Sequence, residues 1–261
     1  MNTDKPVRYG FLLLPNYSML AYSSAVEVLR MANRLRHETL YEWPSYTLDG
    51  QAVAASNGVT LLPDHAISEM QDLRVLFVCS GMRVMQQWQP AIKTHLVRAA
   101  KSKVILGGIC TGTQVLATAG LLEGYRCTIH WENLASLRET SPNIIVSEEL
   151  YELDRDRYTV SGGTAPLDMM YELVKREHGK ELAVSISEQF MCDRMRGEYD
   201  RQRVPLKLLI GADQPKLIEA VELMESNLEE LINLDDLSSL VGVSRRQLER
   251  LFRKYLGCVP S

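Results

Sequence analysis

Cys110 lies in the run Gly108-Ile-Cys110-Thr-Gly112, where an apolar stretch from Val104 ends and a helical pattern from Gln114 to Ala119 begins. Strand, sharp turn and helix in that order make a nucleophile elbow, which presents one side chain at a helix N-terminus and needs small neighbours around a strained backbone. The helix dipole and the free backbone N–H groups at such a turn favour thiolate over thiol. His130 follows the short apolar run Cys127 to Ile129 and supplies an imidazole, so attack by sulfur with a histidine base is the chemistry within reach. Two other readings of the same turn stay open: a redox-sensing thiolate oxidised to a sulfenic acid, and a buried cysteine that only packs. Cys79, Cys127, Cys192 and Cys258 form no C-x-x-C pair and the five histidines show no metal-ligand spacing, so no disulfide framework, metal or cofactor is expected.

The elements that must hold these groups alternate. Val7 to Leu14 reads as a strand and Met19 to Leu35 as a helix; Ser45 to Leu48, Val75 to Cys79 and Val104 to Ile109 are further strands, each followed by turn residues or a helical pattern. Cys127 to His130 is a short strand, and Ile144 to Leu153 with Tyr158 to Ser161 a hairpin across Asp154 to Arg157. Helices are expected over Pro166 to His178, with Gly179 as C-cap, and over Glu181 to Arg196. Alternation of this kind predicts an α/β fold, a parallel sheet covered by helices on both faces.

At 261 residues, two domains are expected, with 1–200 as the first, 201–214 as linker and 215–261 as the second. The balance of 46% hydrophobic and 24% charged residues excludes disordered and collagen-like classes. The polar N-terminus and the short apolar run after it predict neither a signal peptide nor a membrane span, hence a cytoplasmic protein without membrane contact. A net charge of −4 disfavours nucleic acid as a partner only if charge is spread evenly.

It is not spread evenly. After a helical pattern from Pro215 to about Glu230 come Leu234 to Val241, then Gly242-Val-Ser244, then Arg245 to Leu256: two short helices around a glycine turn. Ser244 is the N-cap of the second helix. Leu248, Leu251 and Phe252 share one face, which leaves Arg245, Arg246, Glu249, Arg250 and Arg253 toward solvent or DNA. An amphipathic hairpin with a solvated charged face fits the same spacing.

The run Leu-x-x-Leu-x-x-x-x-Gly-Val-Ser-x-Arg-x-Leu-x-Arg-Leu-Phe from Leu234, closed by Leu256-Gly257, resembles the first helix-turn-helix of the AraC/XylS family. The resemblance implies that Arg246, Glu249 and Arg250 face base edges and that Arg245 meets phosphate, chemistry that suits guanine and cytosine. That family carries two such units, so the chain reads as the first half of a longer DNA reader, expected to bind DNA weakly. Upstream, Phe11-Leu-Leu-Leu-Pro15, Glu27 to Asn33, Gly108 to Gly112, Ala119 to Gly124, Thr128 to Trp131 and Ser161-Gly-Gly163 resemble GlxA-type AraC regulators, whose sensor half is similar to the ThiJ/PfpI and glutamine amidotransferase-like fold. A flavodoxin-like sheet follows from that resemblance.

In the enzymes of that fold an acidic residue approaches the elbow cysteine; here Ala21 stands at that place. The resemblance therefore implies a retired active site reused as an effector pocket, with no catalytic residues and with Cys110, Thr111, His130, Trp131, Glu27 and Tyr22 as its candidates. Ser161 to Pro166 and Arg203-Val-Pro205 resemble regulators of arginine, glycine betaine or carnitine metabolism. They imply a small nitrogenous effector, an amino acid or quaternary amine, held by aromatic faces and a carboxylate. A homodimer is the expected assembly, and a cysteine-dependent amidase or hydrolase using Cys110 and His130 is the alternative.

Overall fold

A computed structural model describes residues 5–192, 194–197, 199–202, 214–227, 232–256 and 258–260. The chain divides into two compact units, Met1–Gln202 and Arg203–Ser261. Most of the expected linker, 203–213 with Arg203-Val-Pro205, falls outside the described residues.

The first unit is built on β1 (Val7–Leu13), α1 (Met19–Arg36), β2 (Tyr41–Glu42), β3 (Ser45–Thr47), the two-stranded β4 (Val53–Ala54) and β5 (Thr60–Leu61), β6 (His65–Ala66) and β7 (Val75–Ser80). It continues through α2 (Pro90–Lys101), β8 (Ile105–Cys110), α3 (Gly112–Thr118), β9 (Arg126–Cys127), α4 (Leu134–Thr140), β10 (Ile145–Val146), β11 (Tyr151–Asp154), β12 (Arg157–Val160), α5 (Ala165–His178) and α6 (Lys180–Gln189). The main sheet runs β11-β12-β8-β7-β1-β3-β6, with β2 also on β1. All its pairings are parallel except the β11–β12 hairpin.

Both faces are buried, as parallel strands require. Tyr9, Phe11 and Leu13 of β1 with Val75, Phe77 and Cys79 of β7 pack against α1, α5 and α6. The alternate residues Leu12, Leu76 and Val78 pack on the other side with Ile92 and Leu96 of α2, Leu116 of α3 and Leu137 of α4. The period-2 alternation of one strand thus feeds two cores, and the doubly covered α/β sheet expected from the sequence is present.

Two elements depart from expectation. The strand expected over 144–153 is broken: β10 pairs with β9, and between β10 and β11 the chain instead bonds the segment 200–202, through Leu150 N–H to Asp200 O (2.9 Å) and Gln202 N–H to Glu148 O (2.9 Å). The helix expected to reach Arg196 stops at Gln189, with Met191 in the left-handed region. Beyond it Arg196 is pulled onto α5, donating from its backbone N–H and its guanidinium to the buried Asp168 carboxylate (2.6–3.0 Å).

The second unit holds α7 (Pro215–Ser226), α8 (Leu234–Val241) and α9 (Arg245–Leu256). Leu217 and Ala220 of α7, Leu237 and Val241 of α8, and Leu248 and Phe252 of α9 form its core. Asn233 caps α8 by accepting from Asp236 N–H at 2.9 Å. Gly242, at φ +73°, ends it in a left-handed turn in which Gly242 and Val243 N–H donate back to Ser239 and Ser238 carbonyls. Among the described residues no helix is long and apolar enough to cross a membrane.

Candidate functional site

In the first unit β8 delivers Cys110 to the C-terminal edge of the sheet, where ligands of open α/β sheets bind. The elbow is strained as its motif demands, with Cys110 at φ +58°. Gly112 is required because any Cβ there would overlap the Val78 carbonyl of β7. Thr111 donates its hydroxyl to Gly81 O at 2.6 Å in a buried bond, tying the elbow to the turn after β7.

A cavity of about 630 Å³ opens over the elbow. Cys110, Thr111 and His130 line it, together with Arg83, Met82 and Met85 from the turn after β7, Glu132 and Asn133 after His130, and Ser18 and Ser56. Gly162, just after β12, lets the thiol and the imidazole come together, since a Cβ there would lie 3.2 Å from both Cys110 Sγ and His130 Nε2 and would overlap the ring carbon Cδ2. No hydrogen bond joins Cys110 and His130 among the described residues.

Electrostatics set the state of both groups. Burial pushes the Cys110 thiol up to about 11; the Thr111 backbone N–H opposes this and the nearby Glu132 carboxylate adds to it. The elbow was expected to favour thiolate, but desolvation outweighs the single N–H, so the thiol is protonated at neutral pH. His130 is lowered by burial, against a weaker opposing pull from Glu132, whose Oε2 lies 3.7 Å from Nδ1. Burial thus favours the uncharged form of each group.

Three sequence candidates lie elsewhere. Tyr22 is buried in the core, edge-on to Phe11 and Tyr17 at 5.5 and 5.8 Å. Trp131 lies against the ring of His130 at 5.3 Å but packs into the opposite core and does not line the cavity. Glu27 is held by Arg30 one turn along α1, with oxygens 2.6–3.0 Å from the guanidinium, and is likewise outside the cavity. No Phe, Tyr or Trp lines this cavity among the described residues, so the expected aromatic walls are replaced by the thioethers of Met82 and Met85. Ala21 is fully buried in α1. The carboxylate that acts on the thiol is Glu132, and it raises the thiol rather than activating it.

In the second unit α9 carries five cations against one carboxylate, in a chain whose net charge is −4. Ser244 accepts from Gln247 N–H at 3.3 Å as its N-cap. Ser244, Arg246, Glu249 and Arg250 line a groove along the exposed face, joined by Gln247, Arg253 and Lys254. Arg253 was expected on this face. Gln247 and Lys254 were missed, although Arg246, Arg250, Arg253 and Lys254 fall at i, i+4, i+7 and i+8 and so form one stripe. Arg245 stands apart, paired at 3.2 Å with both Asp235 and Glu249.

A parallel sheet with an elbow cysteine at its C-terminal edge, followed by two helices around a glycine turn, defines a sensor-plus-reader architecture. The chain belongs to the DJ-1/PfpI family, whose description matches residues 12–176, and among its members to the HTH-type transcriptional regulators of AraC/GlxA kind. The HTH-type transcriptional regulator GbdR of Pseudomonas aeruginosa is 50% identical over 98% of this chain and 70% of its own length. The crystal structure of an AraC family transcriptional regulator from Pseudomonas putida superposes with a TM-score of 0.66 at 32% identity, over 71% of this chain and all of that one. More distantly, an isonitrile hydratase of Pseudomonas putida is 27% identical over 68% of this chain and 75% of its own length. The AraC-type regulator expected from the sequence is thereby borne out.

Proposed function

We propose that the cavity over Cys110 is a non-catalytic effector site for a small zwitterionic nitrogen compound, an amino acid or quaternary amine. In this reading its occupancy sets the DNA affinity of α9 in a cytoplasmic homodimer. The observation that carries the reading is the lining of the cavity of about 630 Å³, where Glu132 and Arg83 bring opposite charges to one concavity and no hydrogen bond joins Cys110 and His130 among the described residues. Binding needs only the concavity and converging polar groups. Glu132 offers a carboxylate to the cationic end of the ligand and Arg83, which has no ion-pair partner among the described residues, a guanidinium to its anionic end. Arg246, Glu249 and Arg250 read base edges, while Arg245, engaged by Asp235 and Glu249, serves the flank.

The test is calorimetry of the protein with L-arginine, glycine betaine and carnitine, with each ligand recovered afterwards, alongside DNA binding with and without it. Saturable binding that returns the ligand unchanged and shifts DNA affinity supports the reading. Turnover abolished by Cys110→Ala would replace it with a cysteine hydrolase, the alternative favoured by the closeness of Cys110 and His130 across Gly162.

A further inference from the structure

The last residues of the first unit are fastened to the segment that leads into His130. Gln202 is buried, and its Nε2 donates to Ile129 O at 2.9 Å and to Thr128 Oγ1 at 3.0 Å, with Glu149 O at 3.3 Å. The next residue after Ile129 is His130, which faces the cavity. Thr128 is itself fixed from three sides. Its N–H donates to Thr159 Oγ1 at 2.9 Å and its hydroxyl to Glu149 O at 2.8 Å, while its carbonyl accepts from Thr113 Oγ1 of the elbow helix at 2.9 Å. A hydrogen-bonded path thus runs from the helix behind Cys110, through Thr128, to the residue where the first unit ends.

The latch is incompletely satisfied. The amide orientation of Gln202 is dictated by two carbonyl acceptors, and it leaves Oε1 buried with no partner. A buried network with one unmade bond is held less firmly than a complete one. The backbone on either side is correspondingly spare: Gln202 N–H to Glu148 O, Leu150 N–H to Asp200 O and an isolated bridge between Glu149 and Arg201 hold the segment in place of a full strand.

We propose that Gln202 is a positioning residue which holds the segment leading into His130 and releases when the cavity is filled, so that occupancy loosens residues 200–202 from Glu148 and Leu150. This rests on the effector reading for its biological purpose, but the coupling belongs to the protein alone. It can be tested with an occupant of known chemistry, a carbamidomethyl group placed on Cys110 by iodoacetamide at alkaline pH.

The experiment uses the full chain with Cys192→Ser and Cys258→Ser, since Cys79 and Cys127 are 1% and 0% exposed and away from the cavity, whereas Cys110, at 7%, opens onto it. Hydrogen exchange at Leu150 N–H, followed by NMR before and after alkylation, is the readout. The expected result is exchange at least tenfold faster after alkylation. Gln202→Met preserves length and apolar bulk but removes the donors, so it should exchange fast at Leu150 from the start and show no further response. Thr128→Ser retains the hydroxyl and should respond as the parent does, which a merely structural loss of packing would not produce. Exchange at Leu150 unchanged by alkylation in the parent, or an equal acceleration in Gln202→Met, overturns the proposal. Failure of every metabolite to bind would instead sink the effector reading and leave this coupling standing.

Discussion

The Thr111 hydroxyl and the Gly81 carbonyl oxygen meet at 2.6 Å in the interior, and this one bond joins the two turns that make the floor of the cavity. Val is nearly isosteric with Thr but cannot donate, so Thr111→Val leaves the Gly81 oxygen buried and unpartnered. The expected cost is about 1–3 kcal/mol of unfolding free energy. Thr111→Ser, which keeps the hydroxyl, should lose less than half of that. Urea denaturation of the three proteins checks it, and equal stability of Thr111→Val and the parent would show that the bond contributes nothing.

Gly162 governs the space shared by Cys110 and His130. Its φ is not in the left-handed region, so alanine is tolerated by the backbone, but its Cβ would overlap the His130 ring and approach Cys110 Sγ to 3.2 Å. The ring must swing away, and the cavity loses one wall. Gly162→Ala is expected to fold, to keep its far-ultraviolet dichroism, and to bind any effector at least tenfold more weakly by calorimetry. Unaltered affinity would place the ligand away from this wall.

How much of this was legible in the sequence follows from which signals are local. Cys110, Thr111 and His130 could be placed at one site because strand, turn and helix are written in consecutive residues. Arg83, Met82 and Met85 could not, since the turn that carries them has no period; the usable signal was Ser80-Gly81 at the end of a strand, the edge where ligands of such sheets bind. Trp131 was misplaced because adjacency to His130 does not fix where its ring goes, and the apolar core on the other face of the sheet takes it. Glu27 was expected in the pocket, whereas Arg30, three residues on, already holds it. The protonated thiol was beyond local reading altogether: burial by distant residues, not the turn, decides it. In the second unit the glycine turn, the serine cap and the apolar stripe are all local, and there sequence and structure agree.

The state of Cys110 gives a pH dependence with a defined sign. Its folded value of about 11 lies above the ordinary thiol value of 9.0, so between the two the unfolded chain gives up a proton that the folded chain keeps. Stability from this group is fully present below pH 9 and is lost as pH rises toward 11. The loss is roughly 3 kcal/mol at about 1.4 kcal/mol per pH unit. Cys110→Ser, with nothing to ionise in that range, should show a correspondingly flatter profile between pH 9 and 11 in denaturant titrations. Iodoacetamide should label Cys110 slowly at pH 7 and progressively faster up to pH 11; a rate already on its plateau at pH 7 would mean a thiolate, and would reopen both the catalytic and the redox readings.

On α9 the two arginines that look alike in sequence should behave differently. Arg250 lines the groove of the exposed face, whereas Arg245 is engaged by Asp235 and Glu249 at 3.2 Å. Arg250→Ala is expected to weaken operator binding by about 1–3 kcal/mol and to relax preference at one base position. Arg245→Ala removes a cation already partly neutralised by its neighbours, so its effect should be smaller and uniform across sequences. If it touches phosphate, it should lower the slope of log affinity against log salt by about 0.9. Fluorescence anisotropy on an operator and a scrambled duplex at several salt concentrations separates the cases. Equal losses on both duplexes for Arg250→Ala would remove it from the base-reading set and leave α9 a backbone-binding helix.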